Sequence, residues 1–164
     1  MARPLVEKWI DPARALATPE WLDVLEDIAE EHGYFEPLGP DHSAIFLDQK
    51  PMLLVTFETM ASIRARAHSD VPLGWTLAEA DGWSQLCLLS HDETWFRHRA
   101  VYEYFDRLVD DGFFEGYDRV VFCGADSCGY AAAAFSVVSP GATVITMSPQ
   151  ATLGPAVAEW GERF

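Results

Sequence analysis

The sequence has few basic residues and few cysteines. Its 164 residues include 11 Lys and Arg against 26 Asp and Glu, which gives a formal net charge of −15 at pH 7. Such a charge repels phosphate backbones and anionic lipid headgroups, so we expect neither nucleic acid nor membrane partners. The three cysteines, Cys87, Cys123 and Cys128, lack C-x-x-C spacing, which argues against a disulfide framework or a structural zinc site.

Long apolar runs are also missing. No stretch reaches the roughly 18 apolar residues that a membrane span needs, and the first residues contain no apolar signal-peptide core. We therefore expect a reduced cytoplasmic protein without a metal or a cofactor. Apolar residues nevertheless make up 49% of the chain and aromatic residues 13%, a composition that forms a packed core.

Helical and strand patterns alternate along the chain. We expect an N-terminal arm over residues 1–17 and one α/β domain over residues 18–164. Helices are predicted from Thr18 to Gly33, at Thr94–Asp111 and at Tyr130–Val138. Strands are predicted at Ala44–Leu47, Met52–Phe57, Trp83–Leu89, Val120–Cys123 and Ala142–Met147.

The strand patterns predict how the sheet is built. The strands are apolar throughout and alternate with helices, which is typical of a mostly parallel, doubly wound sheet covered on both faces. Ala44–Leu47 and Met52–Phe57 are separated by a short polar turn, so we expect them to pair as an antiparallel hairpin. Tyr34–His42, with two prolines and a glycine, is expected to be a turn-rich connection.

The segment Arg119–Phe135 carries the strongest chemical signal. A short apolar strand leads into two glycines around an Asp-Ser pair, and an alanine-rich helical stretch follows. This is the layout of a nucleophile elbow, the tight strand-to-helix turn that presents a reactive side chain in α/β-hydrolases. An elbow requires small residues two positions before and two positions after the nucleophile.

Two registers satisfy this requirement. With Ser127 as the nucleophile, the flanking small residues are Ala125 and Gly129. With Asp126 as the nucleophile, the flanking small residues are Gly124 and Cys128. Hydroxyl chemistry favours Ser127 and glycine spacing favours Asp126, so both alternatives stay open. Cys128 is a further candidate nucleophile, because a helix N-terminus lowers the pKa of a thiol.

A hydroxyl nucleophile needs a histidine base and an acid that orients it, and in this fold both follow the nucleophile in the chain. All five histidines precede the elbow, and only Glu159 and Glu162 follow it among acidic residues. We therefore expect the acid and the histidine to come from sequence beyond residue 164, with the sheet incomplete at the C-terminus.

Four segments together resemble one known family. They are Gly124–Ala132, which reads Gly-Ala-Asp-Ser-Cys-Gly-Tyr-Ala-Ala, the Met-Ser-Pro-Gln run at Met147–Gln150, Leu54–Phe57 and His91–Phe96. The chain is similar over residues 43–155 to an α/β-hydrolase-like family of bacterial glycan and capsule clusters. That family includes the acyl-transferring component of accessory secretion systems.

The resemblance implies an α/β-hydrolase-like fold and an esterase or acyltransferase that acts on a small ester or an acylated glycan. Ser127 or Asp126 would attack the carbonyl carbon. The backbone N–H groups of Cys128 and of the segment near Phe57 and Glu58 would hold the oxyanion.

The chain departs from the family pattern at two positions: Asp126 stands where the family has serine, and Cys128 replaces a glycine. The alternative is therefore a non-catalytic α/β-hydrolase-like protein that serves binding or assembly. Either alternative is compatible with a homo-oligomer. Relatives labelled phosphoadenosine phosphosulfate reductase do not change this expectation, because the chain has neither the Ser-Gly-Gly-x-Asp-Ser loop nor the Glu-Cys-Gly-x-His motif.

Overall fold

A computed structural model describes residues 18–66 and 70–149, except for the side chains of Thr18 and Glu79; the predicted arm over residues 1–17 lies outside these ranges. Six strands form one sheet in the order β1-β2-β4-β3-β5-β6. The strands are β1 (Gly33–Leu38), β2 (His42–Leu47), β3 (Met52–Thr59), β4 (Ser84–Ser90), β5 (Arg119–Ala125) and β6 (Thr143–Met147). The strands β3 to β6 are parallel, and β2 is antiparallel to both of its neighbours.

Five α-helices accompany the sheet in the described part of the chain. They are α1 (Thr18–His32), α2 (Met60–Ala65), α3 (Leu73–Asp81), α4 (Arg99–Asp110) and α5 (Ser127–Phe135). Short 3-10 turns follow α4 at Phe113–Gly116 and α5 at Ser136–Val138. Within the described residues, no helix is both long and apolar enough to cross a membrane.

Buried side chains form two clusters on opposite faces of the sheet. Along β2, Ala44 and Phe46 belong to one cluster, whereas Ile45 and Leu47 belong to the other. Successive side chains of a strand point to opposite faces, so α4 and α5 cover the first face and α1 to α3 cover the second. The predicted α/β fold with a mostly parallel sheet is confirmed.

The first face is packed around a group of aromatic rings. Phe57 on β3 lies at the centre, with ring centroids 6.0 Å from Phe105 on α4 and 5.6 Å from Phe135 on α5. Phe122 on β5 stacks against the same ring at 6.5 Å. These contacts fix the two helices against the strands whose ends form the site described below.

The predicted hairpin between Ala44–Leu47 and Met52–Phe57 is wrong. β2 pairs with β1 and β4, while β3 pairs with β4 and β5, so β4 lies between the two predicted partners. The antiparallel hairpin is formed instead by β1 and β2. The sequence pattern hid β1 because Pro37 lies within it; proline is tolerated there since β1 is an edge strand that pairs only with β2.

Two helix boundaries also differ from the prediction. The predicted helix Thr94–Asp111 begins only at Arg99, where the Nδ1 atom of His98 accepts a hydrogen bond of 3.1 Å from the backbone N–H of Ala100. The last predicted helix begins earlier, at Ser127, because the turn after β5 leads directly into α5 without a connecting loop.

Replacing Phe105 by alanine is expected to lower the free energy of unfolding by about 3–5 kcal/mol, because its ring is fully buried between Phe57 and Phe135. Val109→Ala on the same helix is the control. Its side chain is 47% exposed, so the change should be within about 0.5 kcal/mol. Urea-induced unfolding followed by circular dichroism measures both, and equal effects would contradict the packing described here.

Candidate functional site

A cleft of about 390 Å³ opens at the carboxyl-terminal edge of the sheet. It lies where β3, β5 and β6 end, the edge at which ligands bind in parallel α/β sheets. The five residues that the sequence singled out all line it: Phe57, Glu58, Asp126, Ser127 and Cys128. Their proximity is a feature of the structure, whereas their chemical roles remain predictions.

The turn between β5 and α5 is strained at a single residue. Asp126 has φ 53° and ψ −121°, a backbone conformation that residues other than glycine rarely adopt. Its N–H donates to the carbonyl oxygen of Met147 at the end of β6, at 2.9 Å. Strain of this kind persists only where the surroundings enforce it, and it concentrates at functional sites.

Gly124 makes the turn possible. A Cβ atom at this position would lie 2.2 Å from the carbonyl oxygen of Cys128 and 2.9 Å from the backbone nitrogen of Gly129. The first turn of α5 therefore lies directly against the end of β5, and no side chain fits between them. The glycine spacing that favoured the Asp126 register corresponds to this contact.

The two candidate nucleophiles have different surroundings. Asp126 carries the backbone strain and is exposed, whereas Ser127 is the buried first residue of α5. The hydroxyl of Ser127 donates a short hydrogen bond to the Oε1 atom of Glu93. The reactive hydroxyl and the strained backbone thus belong to adjacent residues.

Cys128 is unsuited to thiolate chemistry. Burial is the main reason why the pKa of its thiol rises to about 12; a hydrogen bond with Ser127 opposes the rise, and the carboxylates of Glu58, Glu93 and Asp126 add to it. The helix N-terminus at Cys128 does not outweigh these effects. The thiol therefore stays protonated at neutral pH, and we do not assign it as the nucleophile.

Glu58 contributes a buried carboxylate to the floor of the cleft. Its Oε1 atom accepts hydrogen bonds from Arg66 at 3.1 Å and from the backbone N–H of Leu73 at 2.8 Å. Its Oε2 atom accepts from the hydroxyl of Thr56 at 2.9 Å. The side chain thereby ties the start of α3 to the end of β3 and shapes the cleft wall, a role that the sequence did not indicate.

The loop between β4 and α4 brings Glu93 to the cleft. Thr94 organises this loop: its Oγ1 atom lies 2.6 Å from His42 Nε2 and 2.9 Å from Ser90 Oγ, and accepts from the N–H of Phe96 at 3.2 Å. The next two residues, Trp95 and Phe96, have left-handed backbone conformations, with φ 59° and 57°. The ring of Trp95 packs edge-on against Tyr130 of α5, with 5.6 Å between the ring centroids.

Glu93 belongs to the cleft, although the sequence patterns do not place it beside Ser127. Its contact with Ser127 joins residues 34 positions apart, so no local pattern could reveal it. The resemblance of His91–Phe96 to a family element was the one available signal, but the helix predicted from Thr94 obscured the loop.

No histidine of residues 18–66 or 70–149 lines the cleft. The same described ranges contain no group of three or more His, Cys, Asp or Glu residues that could hold a metal ion. The chemical groups that line this part of the cleft are carboxylates, hydroxyls such as that of Ser127, two thiols, the guanidinium of Arg66 and the backbone N–H groups at the start of α5.

Comparison with known proteins gives distant structural matches. No family model and no curated protein matches the chain. A chain of the glycosylation-associated protein (Gap123) complex from Streptococcus agalactiae matches 68% of this chain and 22% of its own length, with 16% identity and a TM-score of 0.48. ESTFA in its iron-lacking apo form matches 91% of this chain and 60% of its own length, with 12% identity and a TM-score of 0.43.

The chain therefore spans less than two thirds of both matched chains. At these identities and TM-scores we draw no conclusion about function from either protein.

The variant Gly124→Ala is expected to lose about 1–3 kcal/mol of unfolding free energy, because the added methyl group would displace the backbone of Cys128. Gly116→Ala is the control: its added methyl group would meet no atom within 4 Å apart from its own local backbone and chain neighbours, and the change should be within about 0.5 kcal/mol. Urea-induced unfolding measures both. A Gly124→Ala variant as stable as the control would contradict the close contact between β5 and α5.

Stability is expected to fall at acidic pH through His42. Burial first, and then the nearby His98, lowers the pKa of His42 to about 4, while Asp41 opposes the shift and His91 adds to it. The unfolded chain takes up this proton near pH 6.5, whereas the folded protein resists until about pH 4. The contribution of His42 to the unfolding free energy is therefore fully present above about pH 6.5. It is lost as the pH falls from about 6.5 towards 4, because only the unfolded chain then binds the proton.

Replacement of His42 by glutamine removes this titration. When the pH is lowered from 7 to 5, the wild type should therefore lose more unfolding free energy than His42→Gln does. Urea-induced unfolding at the two pH values gives this difference. A difference that does not change with pH would show that His42 titrates alike in both states.

Proposed function

We propose that the protein is an α/β-hydrolase-like enzyme that cleaves or transfers the acyl group of a small ester or an acylated glycan. One observation carries the proposal: a strained strand-to-helix turn, tight enough to require Gly124, places the Asp126-Ser127 pair in a cleft at the carboxyl end of an inner strand. This is the setting of a nucleophile elbow.

The start of α5 suits the binding of an oxyanion. The first N–H groups of a helix have no partner within the helix, and the helix dipole places partial positive charge there. The N–H of Cys128 directly follows Ser127, and Phe57 and Glu58 at the end of β3 line the same cleft. A tetrahedral intermediate formed at Ser127 would therefore face backbone donors from α5 and from the end of β3.

Ser127 is the attacking group in this proposal. Its hydroxyl already donates to a carboxylate in the cleft, and a serine ester is an ordinary intermediate of acyl transfer. Asp126 supports the turn and exposes a second carboxylate beside it. Attack by Asp126 is the competing register, and the variants described below separate the two.

A second candidate function is that of a non-catalytic α/β-hydrolase-like protein which binds a ligand in the same cleft. Two observations favour it: no histidine from the described ranges lines the cleft, and three carboxylates surround the start of α5. Negative charges close to an oxyanion oppose its formation, whereas they leave the binding of a neutral or cationic ligand unaffected or improve it.

Hydrolysis of p-nitrophenyl acetate and butyrate tests the proposal. We expect turnover above background for the wild type and a loss of at least about 100-fold in kcat/KM for Ser127→Ala, because removal of a nucleophile leaves only residual catalysis. A fluorophosphonate probe should label the wild type at Ser127, identified by peptide mass spectrometry. Ser136→Ala, which removes a half-buried serine directly after α5, is the control and should keep both activities.

Two outcomes would contradict parts of this account. Loss of turnover in Asp126→Asn with full activity in Ser127→Ala would assign the attack to Asp126. Turnover at background for the wild type, together with no labelling, would favour the non-catalytic candidate.

A further inference from the structure

We propose that Glu93 is the general base that activates Ser127, so that the cleft works as a serine–glutamate pair. This inference rests on the proposed function and adds a residue to it. The observation that carries it is the hydrogen bond that the Ser127 hydroxyl donates to Glu93 Oε1 across the cleft. A nucleophile and its base are recognised by such a contact, with the base in turn held by other groups.

The position of Glu93 is enforced by its neighbours. The adjacent Thr94 is bonded to His42 on β2 and to Ser90 at the end of β4. Trp95 is held in a left-handed backbone conformation and packs against Tyr130, which lies on the same helix as Ser127. The loop is therefore fixed to both the sheet and α5, and the carboxylate is presented to Ser127 from a rigid support.

The basic side chain in the cleft pairs with Glu58 and not with Glu93. Arg66, a basic residue that also lines the cleft, is held by the carboxylate of Glu58 at 3.1 Å and by the carbonyl oxygen of Val71 at 2.9 Å. It therefore neutralises Glu58 on the floor of the cleft. Glu93 is solvent-exposed on its other side, so a proton that it accepts can be passed on to a leaving group or to water.

The reaction balances with an ester and water alone. The Ser127 oxygen forms a bond to the carbonyl carbon while its proton moves to Glu93, and the carbonyl oxygen becomes the oxyanion. Collapse of this intermediate breaks the bond to the leaving alkoxide, which takes the proton from Glu93 and departs as an alcohol. Water then attacks the acyl-serine, gives its proton to Glu93, and the released Ser127 oxygen recovers it as the carboxylic acid leaves.

A carboxylate base has two measurable consequences. It is a weaker base than imidazole, so turnover should be slow, and catalysis should not require a histidine.

Variants of Glu93 test its role directly. Glu93→Gln keeps the shape and a hydrogen-bond acceptor but removes the base, and should slow fluorophosphonate labelling of Ser127 by about 100-fold or more. Glu93→Asp keeps a carboxylate and should retain part of the rate. Glu103→Gln is the matched control, because Glu103 is an exposed glutamate on α4 paired with Arg99, and it should label within about 2-fold of the wild type. Thermal unfolding of each variant establishes that it is folded.

The outcomes separate this inference from the proposed function. Labelling of Glu93→Gln at the wild-type rate would overturn the role of Glu93 and leave the hydrolase proposal standing. Absence of both labelling and ester turnover in the wild type would overturn the two together. Slow labelling of Glu93→Gln combined with partial retention of the rate in Glu93→Asp would establish the pair.

Discussion

No side chain fits between the end of β5 and the first turn of α5. The backbone of Cys128 and Gly129 lies where the Cβ of any other residue at Gly124 would have to be, so the chain turns from strand to helix without a loop. The strain of this turn falls on Asp126, and the hydrogen bond from its N–H to Met147 ties the turn to β6. The cleft, the exposed carboxylate and the position of Ser127 all follow from this close contact.

The electrostatics of the cleft follow from three carboxylates placed around the start of one helix. Glu58 is buried and compensated by Arg66, whereas Glu93 and Asp126 are exposed. Burial first, and then these carboxylates, keep the thiol of Cys128 protonated. Burial and Glu58 also raise the pKa of the other thiol in the cleft, that of Cys123. The partial positive charge of the helix N-terminus offsets part of this negative field, and the backbone donors there remain suited to an oxyanion.

Much of the fold could be predicted from the sequence, because buried parallel strands and the glycine at the tight turn leave strong local patterns. β3, β4 and β5 were recognised from their apolar runs, and Gly124 correctly indicated where the chain turns into α5. β1 was missed because proline usually interrupts a strand, and only the edge position in the sheet makes Pro37 acceptable. The pairing of β2 with β4 depends on contacts distant in sequence, which periodicity does not encode.

The site was only partly predictable, because it too depends on contacts between residues that are distant in sequence. The elbow motif indicates Asp126, Ser127 and Cys128, and the family resemblance indicates Phe57 and Glu58. The fold brings all five residues to one cleft. Glu93 was not found, because its approach to Ser127 depends on the left-handed backbone after Thr94 and on the packing of Trp95 against Tyr130. A loop held by such tertiary contacts has no sequence pattern of its own.

The central claim is that Ser127 attacks an ester carbonyl in this cleft. Its most direct test is to react the protein with an activated ester whose acyl group is bulky enough to be released slowly, and to map the acylated peptide by mass spectrometry. The account predicts one acyl group per chain, located on Ser127. An acyl group on Asp126, or a protein that remains unmodified while it is folded, would contradict it.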